Sequence, residues 1–491
     1  MFNTTDIDVI LAGAGCGKTS EIELRVESLL EHYLPSEIAL VSFTRKGAME
    51  GRDRIKRKLG FSDKDLPFME TFHTLTYRAL GYTSENIFGR EDVKRFNSLL
   101  GFHLTELDYL DVGSTDDLLL ANYDKVRAGV DIEEVQTIAS DLEYTRLVDA
   151  YTRYKSKFKK IDFTDCLINY VEKGEPLPVR VAIMDEVQDF NTLMWDVAYK
   201  MFSNAEKVIM AGDDYQSIYK YAGARPDILI NFANNFNTVK LEKSYRLSRN
   251  VYKYAKEITD MITEKVDKDY KPVKNVQGDV SFVNDRLFLA ERIKQTQDET
   301  WLVLFRNNHY IDNFVEVLRD KLVLYHDNRG FCIPSYAMAR IKKYYNYRKK
   351  GYKDEESKKK FMEFYGIEDI NADFSESNLI QGDNRFVYQS YIDLYGIEKV
   401  TEASKSHRVL VSTIHRVKGA EARNVAIFLD CSKRTYMTRF EDFDAELRLL
   451  YVAITRAITN LYFVASNTRY GYDSIIQMID EQISLRESHS L

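Results

Sequence analysis

The chain has 491 residues, enough for about three or four domains of ordinary size. Hydrophobic residues make up 44% and charged residues 30%, and no apolar run approaches the ~20 residues of a membrane span. The net charge of −7 excludes a protein coated in basic surface, although a local basic patch for nucleic acid stays open. The four cysteines are far apart, which argues against a disulfide framework and a zinc site. The first residues have neither a basic start nor an apolar stretch, so we expect a cytoplasmic protein without a signal peptide.

The first predicted element is a buried strand at residues 7–11, which leads into a glycine-rich turn and then a helix. The turn and the first helical residues are Ala12, Gly13, Ala14, Gly15, Cys16, Gly17, Lys18, Thr19 and Ser20. Glycines let backbone N–H groups close around a triphosphate, Lys18 can reach the β- and γ-phosphates, and the Thr19 hydroxyl can hold Mg²⁺. Ala12 stands where the strict pattern has Gly. The run predicts a nucleotide-hydrolysis site, with a chance glycine-rich turn as the alternative.

Cys16 lies inside this loop. We interpret it as a small residue that fits the turn. A redox-sensitive thiol beside the nucleotide is the alternative, which depends on its surroundings.

Strand-like runs alternate with helical patterns along four stretches of the chain, which predicts parallel sheets with right-handed crossovers. The clearest runs are residues 38–42, 181–184, 207–210, 301–304, 409–412, 425–429 and 461–464. Two stretches lack a strand pattern and are predicted to be helical insertions. The predicted division is a first core at 1–80 and 161–238 with an insertion at 81–160, and a second core at 239–329 and 406–491 with a short insertion at 330–405.

An acidic pair, Asp185 and Glu186, follows the strand at 181–184. At the carboxyl edge of a buried strand, Asp185 can hold Mg²⁺ through water and Glu186 can polarise the attacking water. Such a pair is also common as a solvated loop edge. Together with the phosphate loop it favours an ATPase.

Further motifs follow in a fixed order. They are VSFTRKGA at 41–48, TFHTL at 71–75, IDFTD at 161–165, GDDYQSIYKYAGA at 212–224, LEKSYR at 241–246, TIHRVKGAE at 413–421 and LYVAITRA at 450–457. With the loop at 12–19 and the acidic pair, this series resembles superfamily 1 DNA helicases of the UvrD/Rep/PcrA type over almost the whole chain. The resemblance implies an α/β fold of two RecA-like parallel-sheet P-loop domains, each with a mainly helical insertion, that use ATP and Mg²⁺.

The resemblance also implies roles around the nucleotide. Arg246 and Arg456, both placed in the second core by chain position, would reach the γ-phosphate across a cleft and neutralise developing charge. The remaining assignments are Gln216 as sensor of the γ-phosphate and attacking water, Tyr245 stacked on adenine, Glu421 at the ribose or an adjoining polar group, and Asp213 as organiser of the same edge of the site.

Single-stranded DNA requires stacking faces and positive charge. The candidates are Phe43, Phe72, Tyr219 and Tyr221 as base platforms, with Thr44, Arg45, His73 and His415 near the phosphates. The alternative for each of these aromatic residues is a position in the hydrophobic core, where it would not contact a base. Tyr221 stands where the family usually has Trp, which predicts weaker stacking, and Ala222 stands where it commonly has Arg, which puts one contact in doubt.

The sequence departs from the family's usual pattern at the nucleotide site and in the second insertion. The eleven residues before Ala12 contain no Gln, so the usual adenine-reading motif is not found there and we expect relaxed base selectivity. The insertion at 330–405 is short beside the family's usual one, which predicts a reduced regulatory rotation.

Residues 340–360 hold ten Lys/Arg against three Asp/Glu, interleaved with Tyr344, Tyr345, Tyr347 and Tyr352. This stretch is a solvated helical face or a patch for duplex DNA.

The first functional hypothesis is an ATP-driven helicase that moves 3′ to 5′ on single-stranded DNA, its direction implied by the resemblance alone. It would act on single strands and on single/double-strand junctions, with no membrane involved. The second hypothesis is a DNA-dependent ATPase subunit of a larger repair, recombination or anti-phage defence complex, with a nuclease or replication or repair factor as partner and little unwinding of its own. A plain nucleotide binder is disfavoured by Glu186, Gln216 and Arg456.

Overall fold

The computed structural model describes residues 1–105, 114–131, 141–296, 298–351, 354–369, 371–380 and 382–488. The chain divides into two compact units. The first comprises Met1–Arg246, Thr259–Lys274 and Asp444–Leu449, and the second comprises Leu247–Ile258, Asn275–Phe443 and Leu450–Leu491.

The first unit is built on a six-stranded, all-parallel sheet with the order β3-β2-β4-β5-β1-β6. Its strands are β1 (Ile7–Ala12), β2 (Ile38–Ser42), β3 (Met69–Glu70), β4 (Val181–Asp185), β5 (Lys207–Gly212) and β6 (Asn237–Leu241). Its helices are α1 (Lys18–Leu29), α2 (Arg45–Leu59), α3 (Phe72–Ala79), α4 (Arg90–Leu100), α5 (Thr115–Arg127), α6 (Asp141–Phe158), α7 (Phe163–Lys173), α8 (Thr192–Met201) and α9 (Pro226–Asn235).

Helices cover both faces of this sheet because successive side chains of a strand point to opposite faces. In β1, Val9 and Leu11 belong to the core on one face, while Ile10 belongs to the core on the other. Helices α4, α5 and α6 form the predicted insertion, with a separate core rich in aromatic side chains such as Phe96 and Tyr151.

Two short strands, β7 (Lys243–Ser244) and β8 (Lys271–Pro272), pair in parallel within the first unit. Helix α10 (Arg249–Met261) lies between them in the chain. The predicted boundary at 238/239 is wrong, because it cuts β6, which pairs with β1 along residues 237–241. Three-dimensional pairing, rather than the run of motifs, therefore places the end of the first continuous segment at Arg246.

The second unit contains a seven-stranded sheet with the order β12-β11-β13-β10-β14-β15-β9, parallel except between β11 and β12. The strands are β9 (Asp279–Val283), β10 (Trp301–Phe305), β11 (His326–Asp327), β12 (Gly330–Phe331), β13 (Val409–Thr413), β14 (Ala422–Phe428) and β15 (Ala457–Val464). The helices are α11 (Arg286–Gln295), α12 (Ile311–Asp320), α13 (Ser335–Lys350), α14 (Glu355–Tyr365), α15 (Asn384–Tyr395), α16 (Ile397–Ala403), α17 (Lys433–Thr438), α18 (Phe443–Ile454) and α19 (Asp473–Ser488). Of α18, the residues Asp444–Leu449 belong to the first unit.

The predicted fold class of two parallel-sheet α/β cores with helical insertions is confirmed. Each strand run named from the sequence matches a strand of the structure, although the run at 425–429 extends one residue beyond β14. The second insertion holds α13 to α16 around its own core, in which Tyr344 and Phe374 are fully buried. Among the described helices, none combines the length and the apolar character needed to cross a bilayer.

Candidate functional site

The site of the first unit lies at the carboxyl ends of three neighbouring strands. Strand β1 pairs with β5, and β5 pairs with β4, all in parallel. The loops that follow these strands therefore meet at one edge of the sheet, where parallel α/β proteins bind ligands. These loops carry the phosphate loop, the Asp185-Glu186 pair and Asp213.

The phosphate loop has the backbone shape that a triphosphate requires. Gly15 and Gly17 have φ of 70° and 80°, a left-handed conformation that residues with a Cβ rarely adopt. Gly17 precedes α1, and no side chain caps the first N–H groups of that helix. These N–H groups and the positive end of the helix dipole suit a phosphate.

Lys18 lies between the two carboxylates of the acidic pair. Its Nζ is 2.7 Å from Asp185 Oδ1 and 2.5 Å from Glu186 Oε1. Burial acts to lower the pKa of Lys18, but the two carboxylates outweigh it and hold the pKa above its ordinary value. Burial raises the pKa of Asp185, and Lys18 opposes that rise. The cation is thus charged and aimed at the edge where phosphates would bind.

The oxygens at this edge fit Mg²⁺. A Thr19 hydroxyl on the first turn of α1 and the Asp185 carboxylate are hard ligands, and Mg²⁺ bound with a nucleotide takes one or two carboxylates plus phosphate oxygens. No group of three or more His, Cys, Asp or Glu arranged for a metal occurs in the part of the chain that the structure describes. The residues therefore suit a metal that is held jointly with a triphosphate.

Glu186 has an unusual backbone, with φ 57° and ψ 35°. A left-handed glutamate is uncommon and is tolerated where the surroundings fix it. Its Oε2 accepts a hydrogen bond of 2.5 Å from Nε2 of the fully buried Gln188. Oε1 of Gln188 in turn accepts from the Asp213 backbone N–H at 3.1 Å. Gln188 thus joins the two loops; our sequence reasoning missed it, although it lies within the acidic run.

Gln216 and Asp213 lie together, as their predicted shared edge requires. Gln216 Nε2 donates to Asp213 Oδ2 at 2.6 Å. The other oxygen of Asp213 lies 2.9 Å from Nζ of Lys268, a buried lysine outside every motif recognised in the sequence. Burial raises the pKa of Asp213, and Lys268 opposes that rise.

The chain from 244 to 246 covers the other side of the phosphate loop. Ser244 Oγ donates to Ala14 O at 2.7 Å, and the Tyr245 N–H donates to Gly15 O at 2.9 Å. The Tyr245 ring is 54% exposed and lies over Gly17, 3.7 Å from where a Cβ would stand. An exposed face beside the loop leaves this ring accessible to a base.

Arg246 requires a correction. Chain position predicted it in the second core, but it belongs to the first unit. Its Cβ lies 2.4 Å from the position that a Cβ on Gly15 would occupy. The short pairing of β7 with β8 accounts for the difference, since it keeps this segment with the first unit.

Three of the predicted base platforms form a row in the first unit. The Phe43 and Tyr219 rings stack with centroids 5.4 Å apart, and the Tyr219 and Tyr221 rings meet edge-on at 6.3 Å. Tyr221 is 43% exposed, and Nζ of Lys125, a further candidate from α5, lies 5.8 Å from the centre of its ring. Thr44 caps α2 by accepting from Gly47 N–H at 3.1 Å, and the next residue, Arg45, is exposed.

Phe72 is corrected from a platform to a core residue. Its ring is 2% exposed and packs edge-on against Phe190 at 5.2 Å. The next residue, His73, is partly buried, and burial lowers its pKa to about 4, so it is neutral near pH 7. A neutral His73 can hydrogen-bond a phosphate but adds no positive charge. Phe163, which is 56% exposed, stands edge-on to His73 and was missed from the sequence.

The second unit carries the remaining predicted residues. Arg456 is buried, with Nε donating to Val452 O at 3.0 Å and Nη1 to Ala420 O at 3.2 Å. Glu421, next to Ala420, is exposed. His415 has its pKa lowered to about 3 by burial, helped by Arg306 and Lys418, so it too is neutral near pH 7. The assignments of Arg456 and Glu421 to the nucleotide and of His415 to DNA stay predictions.

Two family models match the chain. The model of the UvrD/REP helicase N-terminal domain matches residues 3–237, and that of the UvrD-like helicase C-terminal domain matches residues 335–468. The chain belongs to the UvrD/Rep/PcrA family of superfamily 1 helicases. The predicted family resemblance is thereby confirmed.

Individual relatives are more distant. ATP-dependent DNA helicase Rep of Escherichia coli K12 is 25% identical over 372 residues, which cover 66% of this chain and 53% of that protein. ATP-dependent DNA helicase PcrA of Leuconostoc citreum is 25% identical over 346 residues, or 63% of this chain and 46% of that protein. DNA helicase II of E. coli K12 is 26% identical over 336 residues, or 61% and 46%. The chain thus spans about half the length of the curated relatives it matches.

In this UvrD/Rep/PcrA-type chain the thiol inside the phosphate loop is buried. Burial and the nearby Asp213 raise the pKa of Cys16 to about 12. A buried, protonated thiol is a poor nucleophile, which contradicts the redox-sensitive alternative and supports a packing role.

In the basic, tyrosine-rich stretch at 340–360, some tyrosines are buried and others are exposed. Tyr344 is fully buried and Tyr345 packs beside it against the insertion core, so these two are structural. Tyr347 lies on the same helix and is 49% exposed. Arg340 and Lys343 of this helix are exposed as well. Tyr352 lies outside the described residues. The duplex-binding role of this stretch stays a prediction.

Proposed function

We propose that this protein is an ATP-driven translocase that moves 3′ to 5′ along single-stranded DNA and separates duplex DNA ahead of it. The observation that carries the proposal is that the phosphate loop, the Asp185-Glu186 pair and Gln216 meet at one sheet edge. Tyr219, which belongs to the row of aromatic rings, follows Gln216 by three residues. Membership of the UvrD/Rep/PcrA family supports it. The 3′–5′ direction rests on the family resemblance.

The nucleotide half of the proposal assigns a role to each group. Lys18 and the loop N–H groups bind the β- and γ-phosphates, and Tyr245 stacks on the adenine. Mg²⁺, held by Thr19 and Asp185, supplies charge neutralisation at the phosphates. Glu186 orients and deprotonates the attacking water, and its fixed left-handed backbone and its bond from Gln188 limit where that carboxylate can point. Arg246, beside Gly15, adds positive charge to the same loop.

The DNA half of the proposal rests on the aromatic row. Phe43, Tyr219 and Tyr221 offer stacking faces that any base can use, with Arg45 and Lys125 as nearby cations. Gln216, Tyr219 and Tyr221 lie within six residues of one another in the chain. A shift of Gln216 on hydrolysis therefore has a short covalent path to the DNA platform.

A strand-displacement assay tests the proposal. Purified protein, ATP and Mg²⁺ are mixed with a labelled duplex that carries either a 3′ or a 5′ single-stranded tail. We expect displacement from the 3′-tailed duplex only, and none by the Glu186→Gln variant. Displacement from the 5′ tail alone would overturn the direction. ATP hydrolysis that single-stranded DNA stimulates, without displacement of either substrate, would instead favour an ATPase subunit of a larger complex.

A further inference from the structure

A buried lysine outside the recognised motifs contacts GDDYQSIYKYAGA at 212–224, the motif that joins Gln216 to Tyr219 and Tyr221, which we call the coupling motif. Lys268 is 5% exposed and lies on the segment between α10 and β8. Its Nζ is 2.9 Å from Asp213 Oδ1, forms a second ion pair with Asp214, and lies 3.5 Å from the centre of the Tyr215 ring. A lysine with so little exposure is rare unless it is paired, and here these three partners all belong to the motif that carries Gln216.

The backbone around Lys268 is held by the same motif. The Val266 N–H donates to Asp214 Oδ2 at 3.0 Å, and the Tyr215 hydroxyl donates to Val266 O at 3.1 Å. The Lys268 N–H donates to the Tyr215 hydroxyl at 3.3 Å. Backbone and side-chain contacts together fix this segment on Asp214 and Tyr215.

Two residues further on, the same segment contacts the phosphate loop. Tyr270 is 2% exposed, and its ring lies so close to Gly13 that a Cβ on that glycine would be 2.3 Å from Tyr270 Cε1. One short segment therefore contacts the coupling motif through Lys268 and the phosphate loop through Tyr270.

We propose that Lys268 is a positioning residue for ATP hydrolysis, which holds Asp213 so that the Gln216 amide stays aimed at the nucleotide. Each oxygen of Asp213 contacts one of the two side chains: Oδ1 pairs with Lys268, and Oδ2 accepts a hydrogen bond from Gln216 Nε2 at 2.6 Å. Because Tyr270 rests on Gly13, the segment also keeps Gln216 in register with the phosphate loop. This inference deepens the proposed function and rests on it.

The charge of Lys268 is what the role requires. Asp213 and Asp214 are both buried, and Asp213 accepts from Gln216 only while its Oδ2 is unprotonated. Burial already favours the protonated form of Asp213, and Lys268 opposes this. The Tyr215 N–H also donates to Asp213 Oδ1, at 3.2 Å, but it carries no charge to oppose the effect of burial. Without Lys268 the carboxyl would therefore take up a proton or turn away, and the Gln216 amide would lose its fixed acceptor.

The test replaces Lys268 by Met, which keeps the length of the side chain and removes its charge. We expect kcat of DNA-stimulated ATP hydrolysis to fall roughly 10- to 100-fold, while KM for ATP changes by less than about twofold, because misplaced groups at the reacting centre affect kcat. The Lys268→Arg variant, which keeps a cation, should recover part of kcat. An unchanged kcat in folded Lys268→Met protein would overturn the inference.

Lys155 is a matched control in the same unit. It is 6% exposed, with Nζ at 2.5 Å from Asp162 Oδ2, 2.6 Å from Asp165 Oδ2 and 4.6 Å from the Tyr151 ring centre. Like Lys268, it pairs with two carboxylates and lies beside a tyrosine ring, but it does so away from Gln216, and Arg127 also pairs with both of its carboxylates. Lys155→Met should lower the unfolding temperature and leave kcat within about twofold. An equal loss of kcat in both variants would reduce Lys268 to a structural ion pair and overturn the inference.

A double variant separates folding from positioning. Lys268→Met with Asp214→Asn removes one charge of each sign, so the unfolding temperature should rise above that of Lys268→Met while kcat stays low, since Asp213 still lacks its cation. Recovery of kcat along with stability would refute positioning. If wild-type protein hydrolyses no ATP, the proposed function fails, and a crystal structure of Lys268→Met still decides the inference. A Gln216 amide that stays within hydrogen-bond distance of Asp213 would contradict it.

Discussion

The contact between Tyr270 and Gly13 makes a quantitative prediction about the phosphate loop. A Cβ added at Gly13 would lie 2.3, 2.4 and 2.7 Å from three carbons of the Tyr270 ring. Non-bonded carbons prefer about 3.5–4.0 Å, so the ring or the loop must move by about 1 Å or more. Because the ring is buried, we expect Gly13→Ala to cost roughly 1–3 kcal/mol of stability, the usual range for an overpacked site.

A second substitution identifies the source of that cost. Tyr270→Leu shortens the side chain and should remove most of the clash with the methyl group added at position 13, while losing packing of its own. We expect Gly13→Ala/Tyr270→Leu to be more stable than the sum of the single variants by about 1 kcal/mol or more. Urea unfolding of the four proteins measures this coupling. Where the loop moves instead of the ring, the same strain appears as a rise in KM for ATP of about 5- to 150-fold, since each 1.4 kcal/mol is a factor of ten.

Additive effects of the two substitutions, to within about 0.5 kcal/mol, would refute the reasoning. They would mean that the Tyr270 ring does not rest on Gly13 in solution. Gly60→Ala is a suitable control, because Gly60 has no neighbour within 4 Å of an added Cβ. It carries the strain of a left-handed backbone alone, with φ 75°, and should show no coupling to Tyr270→Leu.

Three further predictions follow from the site. Glu186→Gln keeps the shape of the side chain and removes the base, so steady-state ATP turnover should fall roughly 10²- to 10⁴-fold while nucleotide binding, measured by equilibrium dialysis, persists; near-normal turnover would refute the assignment. Tyr221→Ala removes a stacking face worth about 1–3 kcal/mol, so DNA-stimulated ATPase should fall more than basal ATPase, and equal losses would refute its role as a base platform. Burial lowers the pKa of His73 to about 4, below the ordinary ~6.5 of an unfolded histidine, so the unfolded state binds an extra proton between these values and stability falls as pH drops through that window. His73→Gln should flatten this part of the profile in urea unfolding between pH 7 and pH 5, and an unchanged slope would count against the buried neutral ring.

Much of the fold was predictable because its signals are local. The runs at 38–42 and 181–184 are short and almost wholly apolar, as strands buried on both faces are, and both are strands in the structure. The phosphate loop was predictable since its glycines, Lys18 and Thr19 are consecutive in the chain. The Asp185-Glu186 pair was recognisable from the strand directly before it.

What the sequence could not reveal depends on packing between distant segments. Lys268 pairs with Asp213 and Asp214, more than fifty residues earlier in the chain. The sequence around Lys268 contains no motif that would indicate these partners. Phe72 and Tyr221 are both aromatic residues within motifs, yet one is buried and the other is half exposed, a difference set by which helix and sheet face each one meets.

Arg246 shows the same limit at the level of domains. It follows motifs of the first core and precedes the strands of the second, and chain position alone assigned it to the wrong core. The pairing of Lys243 with Lys271 decides the matter, because it draws the segment back to the first unit. Pairing of this kind, between two-residue strands, leaves no periodic pattern to read.

The central proposal is that ATP hydrolysis at the phosphate loop moves this chain from 3′ to 5′ along single-stranded DNA. The most direct measurement is displacement of streptavidin from an oligonucleotide biotinylated at either its 5′ or its 3′ end, with ATP, Mg²⁺ and free biotin as trap. We expect rapid, ATP-dependent release from the 5′ end, release from the 3′ end no faster than without ATP, and no acceleration by Glu186→Gln at either end. Release from the 3′ end alone, or active DNA-stimulated hydrolysis with no release from either end, would contradict it.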